Sequence, residues 1–129
     1  MIIYQSPYCQ IDYLPERRCL IQNWRGFAKS AEFREAILKT IEFFETQGNL
    51  AYIISNTQHS EVVKKEDAEW VATYANPRLV AHGLQKIAFI VPTSILLKWS
   101  VEHFRITSKE IPVIQWFDDL EQAMLWIKD

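Results

Sequence analysis

The sequence predicts an α/β domain, because short runs of β-branched and aromatic residues alternate with stretches that carry apolar residues at helical spacing. The elements follow the order β-β-α-β-α-β-α-β-α. Strands joined by helical crossovers are parallel, and right-handed crossovers between neighbouring strands put their helices on the same side. We therefore expect a single domain over residues 1–129 with a mostly parallel five-stranded sheet and helices mainly on one face.

The first two predicted strands form an antiparallel pair. Residues 2–13 and 17–24 are rich in apolar side chains, and the segment 14–16 between them contains Pro15, which suits a tight turn. We expect a hairpin at the start of the sheet, with the first strand at its edge.

The first predicted helix begins at Ser30, which can cap it, and ends at Gly48, which can adopt a left-handed conformation. Its apolar positions lie three or four residues apart: Phe33, Ala36, Ile37, Thr40, Ile41 and Phe44. This spacing predicts one continuous stripe that packs against the sheet.

The third strand is predicted to be buried on both faces, because residues 50–55 form a continuous apolar run. After a polar stretch, a second helix is predicted over 65–74, and Asn76-Pro77 is expected to end or kink it. The apolar stripe of this helix is thin and consists mainly of alanine: Ala68, Val71, Ala72 and Ala75.

The second half of the chain repeats the pattern. Residues 86–92 predict a strand, and Thr93 or Ser94 can cap a third helix that reaches about residue 104. A strand over 113–117 and a closing amphipathic helix complete the domain. The third helix has more apolar surface than one face needs, at Ile95, Leu96 and Trp99. These residues indicate either an exposed contact surface or a helix that packs more deeply.

Charge and cysteine content limit the classes of partner. The 14 basic and 16 acidic residues are mixed along the chain and give a net charge of -2, so no nucleic acid partner is expected. No apolar run approaches the ~20 residues of a membrane span, and no export signal is present. Cys9 and Cys19 fall out of register in the predicted hairpin, so we expect reduced thiols and a cytoplasmic protein.

Patterns for metal or cofactor binding are missing from the sequence. The three histidines lack the spacing of metal ligands, and the three isolated glycines cannot form a phosphate-binding loop. We therefore expect no metal and no cofactor. The adjacent His59 and Ser60 allow a hydrolase hypothesis, although no G-x-S-x-G pattern surrounds the serine.

Three stretches, together with the element order, resemble the SpoIIAA-like family. The stretches are residues 52–57 (YIISNT), 66–70 (EDAEW) and 116–126 (WFDDLEQAMLW). This family includes the STAS domains of anti-sigma-factor antagonists and small SEC14-related proteins. The resemblance covers nearly the whole chain and implies the SpoIIAA-like fold.

In the antagonists, the corresponding strand ends in Asp and leads into a Ser-containing loop, whose phosphorylation by an anti-sigma kinase breaks the partner complex. In this chain the matching position is Asn56. The resemblance implies a phosphoacceptor or partner-binding loop formed by Ser55, Asn56, Thr57, His59 and Ser60. Thr57 is the first candidate for phosphorylation and Ser60 the second, and the alternative for both is ordinary turn and capping chemistry.

Three functional hypotheses follow. The principal one is a non-enzymatic protein-interaction or regulatory module of STAS-like type, whose partner is another protein or a second copy of this chain. It would use the 55–61 loop and the surface formed by Ile95, Leu96 and Trp99. The alternative, which the SEC14-related proteins imply, is a carrier of a small apolar or lipid-like ligand beneath the third helix. The hydrolase is the third hypothesis. A filled core would favour the module, and a closed apolar cavity together with an extractable ligand would favour the carrier.

Overall fold

The computed structural model describes residues 1–61, 63–94 and 112–127. Within these ranges six strands form one sheet in sequential order. They are β1 (Ile2–Gln5), β2 (Cys9–Leu14), β3 (Cys19–Gly26), β4 (Tyr52–Ser60), β5 (Lys86–Ile90) and β6 (Val113–Phe117). The strands β3 to β6 are parallel, whereas β1 and β2 pair in antiparallel fashion. The predicted α/β class and mostly parallel sheet are confirmed.

The sequence predicted five strands, but the sheet has six in the described residues, because residues 2–13 form two strands instead of one. Ser6 turns the chain back on itself: its backbone N–H donates to the carbonyl of Cys9 at 2.9 Å, and its hydroxyl accepts from the Cys9 N–H at 3.1 Å. Pro7 follows and has no N–H for a sheet ladder. The start of the sheet is therefore a three-stranded antiparallel meander rather than one hairpin.

The helices of the described residues are α1 (Ser30–Gln47), α2 (Lys65–Trp70), α3 (Asn76–Ala81) and α4 (Leu120–Trp126). The predicted stripe of α1 is confirmed, since the six residues from Phe33 to Phe44 named above are the buried residues of this helix. Within the described ranges, no helix combines the length and apolar character needed to cross a lipid bilayer.

The sheet separates two apolar cores because successive residues of a strand face opposite sides. Ile53 of β4 belongs to one core with α1 and with Leu79 of α3. The next residue, Ile54, belongs to the other core with Ala123 and Ile127 at α4. Helices α1 and α3 therefore lie on one face and α4 lies on the opposite face.

Helix α4 is the exception to the expectation that the helices lie mainly on one face. Right-handed crossovers fix the side of a helix that connects two neighbouring parallel strands. Helix α4 follows β6, and among residues 1–61, 63–94 and 112–127 no strand comes after it. Its side is set by the apolar contacts of Ala123 and Ile127 instead.

Candidate functional site

A cavity of about 330 Å³ lies between the sheet and the helices of the α1 face. Ile53 and Phe89 line it from the sheet, and Phe33 and Ile37 line it from α1. Its position is near the carboxyl ends of β3, β4 and β5, where open α/β sheets commonly bind ligands. The cavity is thus the strongest candidate site in the described part of the chain.

The cavity exists because the helical segment above it carries small side chains. Ala68, Ala72 and Ala75, here called the alanine stripe, line the cavity together with Val71. Protein interiors are normally packed to the density of organic crystals, with few voids larger than a water molecule. Alanine at these positions leaves unfilled the space that leucine or isoleucine would occupy. The thin apolar stripe recognised in the sequence therefore forms the roof of the cavity, in which Ala75 is buried and Ala68 and Ala72 are exposed.

A π-helical turn, Val71–Ala75, joins α2 to α3 and lies over the cavity. The N–H of Asn76 donates to the carbonyl of Val71, five residues earlier. Such wide turns are often found at functional sites. Asn76-Pro77 was expected to end or kink the helix; it does not end it, because the helical path continues to Ala81, with the proline in the first turn of α3. Pro77 has no N–H to donate within this continuous helical path, and it stands directly after the wider π turn.

A hydrogen-bonded group of four side chains lines the cavity and is here called the polar network: Gln22, Trp24, Thr40 and Ser55. The Gln22 amide nitrogen donates to the Thr40 hydroxyl at 2.9 Å, and that hydroxyl donates to the carbonyl of Ala36 at 3.0 Å. The indole N–H of Trp24 donates to the Ser55 hydroxyl oxygen at 3.1 Å. All four side chains are buried, so the network places polar atoms inside an apolar cavity.

The buried carboxylate of Asp67 fixes one end of the cavity. It lies in the first turn of α2, is 2 % exposed and accepts hydrogen bonds from the Ser30 hydroxyl at 2.8 Å and from Arg34 Nε at 3.0 Å. The Arg34 guanidinium also lies over the Trp70 ring, 5.0 Å from its centroid. These contacts connect the start of α1 with α2, so Asp67 holds the roof of the cavity in place.

The mouth of the cavity lies between the segments that follow β3 and β4. Phe27 and Val63 line it and are 42 % and 40 % exposed. The backbone N–H of Glu61 donates to the carbonyl of Gly26 at 3.0 Å and ties the two segments together. A ligand can therefore reach the cavity from solvent past two exposed apolar side chains.

The five candidate residues of the predicted 55–61 loop lie in β4 instead, because β4 continues beside β3 as far as Ser60. Ser55, Thr57 and Ser60 all line the cavity. Asn56 is not among the lining residues, and its amide nitrogen donates to the side-chain oxygen of Asn23 at 3.1 Å. His59 is exposed and lies outside the cavity.

The hydroxyls of two candidate phosphoacceptors are already used as donors. Thr57 donates to the carbonyl of Ile90 at 2.8 Å, and Ser60 donates to the carbonyl of Thr57 at 3.2 Å. Ser60 is thus not hydrogen-bonded to the neighbouring His59. Phosphorylation of this segment and a hydrolase centre both stay predictions.

The other predicted surface, Ile95, Leu96 and Trp99, lies outside the described residues, as does the third helix beyond Ser94. Among residues 1–61, 63–94 and 112–127, no group of three or more His, Cys, Asp and Glu side chains is arranged to hold a metal ion.

Sequence reasoning missed the polar network and the mouth of the cavity. Gln22 and Thr40 occupy core-facing positions of an apolar strand and an apolar helix stripe, and a polar residue at such a position is the signal that could have identified them. Comparison with models of protein families, with curated proteins and with solved structures found no match for this chain.

Proposed function

We propose that this domain binds a small, mainly apolar organic molecule in the cavity beneath the alanine stripe. The observation that carries the proposal is the unfilled space of about 330 Å³ between the sheet and α2. Ligand sites in proteins commonly have volumes of about 300–1,000 Å³. A cavity of about 150 Å³ lined by apolar side chains can bind benzene. We therefore expect a ligand of roughly two or three fused rings, or an aliphatic chain of similar volume.

The energetics of packing support a binding role. Filling the space with larger side chains would stabilise the fold by roughly 0.8 kcal/mol per buried methylene group. The chain instead has alanine at three positions of the roof: Ala68, Ala72 and Ala75. An apolar ligand would recover the same burial energy when it binds, which gives it affinity without a charged partner.

The cavity favours the carrier hypothesis over the protein-interaction module. A protein-interaction module needs a docking surface and gains nothing from an empty interior, whereas a carrier needs an interior site with a route to solvent. The exposed Phe27 and Val63 at the mouth suit such a route. We therefore prefer the carrier hypothesis, with the ligand in the cavity beneath α2 and not beneath the predicted helix that starts at Thr93 or Ser94.

The direct test is a titration of the purified protein with 1-aminoanthracene, a fluorescent three-ring apolar probe, after native mass spectrometry has shown any co-purified mass. The double variant Ala68→Leu/Ala72→Leu would fill the roof, and we expect it to weaken probe binding at least about tenfold, since one tenfold step corresponds to about 1.4 kcal/mol. The fold should remain intact, because leucine is a good helix former.

The matched control is Ala31→Leu/Ala81→Leu, which makes the same change at two exposed helix positions outside the cavity. We expect this variant to bind the probe as the wild type does. Equal affinity of the wild type and the cavity-filled variant would show that the probe binds elsewhere. An absence of probe binding and of any co-purified mass would refute the proposed function.

A further inference from the structure

The polar network leaves unused donors inside the cavity. The Ser55 oxygen accepts the Trp24 indole N–H at 3.1 Å, and no acceptor within the described part of the chain takes the hydrogen of the Ser55 hydroxyl. The Gln22 amide nitrogen has two hydrogens and donates one of them, to Thr40. Buried donors are normally paired, so each unused donor marks a place where a partner is expected.

The orientation of the network is fixed by its own chemistry. An indole nitrogen can only donate, so the Ser55 oxygen must act as acceptor toward Trp24. Since the Thr40 hydroxyl donates to a backbone carbonyl, it must accept from Gln22, which places the Gln22 nitrogen rather than its oxygen at this contact. The hydrogen-bond chemistry of the network therefore fixes that Ser55 and Gln22 each have one hydrogen left to donate.

Charge around the cavity limits what these donors can bind. Arg25 is the one Lys or Arg among the described lining residues, and it is exposed at the mouth, where its guanidinium donates to the carbonyls of Ser6 and Pro7. The lining also contains two acidic residues, Asp67 and Glu61. A carboxylate or phosphate carried to the buried serine would lose its hydration without a cation to compensate. A neutral oxygen acceptor would lose far less.

We propose that the ligand carries a neutral carbonyl oxygen, which accepts a hydrogen bond from the Ser55 hydroxyl while its apolar body lies under the alanine stripe. This inference rests on the proposed function and makes it more specific. Ser55 is 5 % exposed and Gln22 is 4 % exposed, so both donors act where water cannot compete freely. Ketones, aldehydes, esters and amides with an apolar body form the expected class of ligand.

The test compares two ligands of the same shape, 2-acetylnaphthalene and 2-isopropenylnaphthalene, which differ in having a carbonyl oxygen or a methylene group at one position. Dissociation constants are measured by displacement of 1-aminoanthracene. In Ser55→Ala we expect the dissociation constant of the ketone to rise about fivefold to tenfold, which is the usual effect of one neutral hydrogen bond. The hydrocarbon should bind both proteins with the same affinity within about twofold, which also shows that the variant is folded.

The matched control is Ser60→Ala. Ser60 also lines the cavity, but its hydroxyl already donates to the carbonyl of Thr57, so neither ligand should respond to its loss. A second test uses the wild-type protein alone. The ratio of the two dissociation constants should favour the ketone more than the ratio of the two partition coefficients between water and cyclohexane does.

The outcomes separate the two proposals. If the wild-type protein binds neither the probe nor either naphthalene and carries no co-purified mass, the proposed function is wrong and the carbonyl preference falls with it. If both bind and Ser55→Ala weakens them equally, or if the wild-type preference follows the partition ratio, the cavity is a ligand site but the carbonyl inference is wrong.

Discussion

The carboxylate of Asp67 and the guanidinium of Arg34 are joined by a 3.0 Å contact between α2 and α1. The two side chains differ in environment, since 3 % of the Asp67 side-chain surface and 39 % of the Arg34 side-chain surface is exposed. The partly exposed arginine therefore brings its charge to a buried acid while its other side stacks on Trp70. Because Ser30 donates to the second carboxylate oxygen, both oxygens of Asp67 have partners on α1.

We predict that Asp67→Asn lowers the free energy of unfolding by about 1–3 kcal/mol, because it weakens a charged hydrogen bond and leaves a buried contact imperfectly paired. The partial exposure of Arg34 keeps the loss below that of a fully buried ion pair. Urea unfolding followed by tryptophan fluorescence measures it. The neighbouring Glu66 is exposed, so Glu66→Gln should change stability by less than about 0.5 kcal/mol. Equal effects of the two variants would contradict the anchoring role of Asp67.

A second prediction concerns Gly83, which precedes β5. Its φ is +109°, and a Cβ atom there would lie 2.7 Å from the backbone oxygen of Leu50. Gly83→Ala should therefore combine backbone strain with a clash that cannot relax without moving β4 or β5, at a cost of about 2–4 kcal/mol. The control Gly48→Ala meets no atom within 4 Å at φ +72° and reports the strain alone. If the two substitutions lower the thermal midpoint equally, the contact with Leu50 contributes nothing.

The sequence predicted those elements whose shape depends on local periodicity. Helix α1 is the clearest case, because the residues spaced for its stripe are the ones that are buried. The division of residues 2–13 was missed because the apolar alternation on both sides hid the turn at Ser6 and Pro7. The π turn before Asn76 was not predicted because it depends on hydrogen bonds that periodicity does not report.

The cavity could be predicted only in part. The alanine stripe showed which side of the second helix faces inward, but not whether side chains from the sheet and α1 would fill the space below it. That depends on how far α2 stands from the sheet, which is fixed by distant contacts such as the one between Asp67 and Ser30. Three residues of the predicted partner-binding loop line the cavity for a reason that the sequence did not show, namely the extension of β4.

A third prediction follows from the two cysteines, which are free and buried. Burial raises the pKa of both the Cys9 and Cys19 thiols from the ordinary value of 9.0 to about 12. The folded protein thus holds these protons where the unfolded chain releases them. Stability from both groups is fully present below pH 9 and is lost as pH rises toward 12. At pH 10.5 the expected loss is about 2 kcal/mol per thiol, from 1.36 kcal/mol per pH unit.

The measurement is urea unfolding at pH 8 and at pH 10.5, with Cys9→Ala/Cys19→Ala as the reference. The double variant loses the same packing energy at both pH values. Because it has no thiols at these positions, its stability should fall less than that of the wild type between pH 8 and pH 10.5. All other groups are the same in the two proteins, so their contributions cancel in the comparison. An identical drop in stability for the two proteins would mean that the thiols ionise in the folded state as they do in the unfolded chain.

The last prediction concerns the end of α4, whose own last turn has no basic residue. Lys86 of β5 provides the charge instead: its ammonium donates to the carbonyl of Trp126 at 3.0 Å and lies 5.0 Å from the centroid of that indole ring. Lys86→Met keeps an apolar stem of similar shape but removes the charge, so we expect a loss of about 1 kcal/mol in unfolding free energy. The control is Lys39→Met at an exposed position, which should change stability little.

Salt provides a second test, because it screens a charge at a helix terminus. In 1 M sodium chloride the Debye length is about 3 Å, so the difference in stability between the two variants should shrink. A salt-independent difference would contradict the proposed effect of the Lys86 charge on the end of α4.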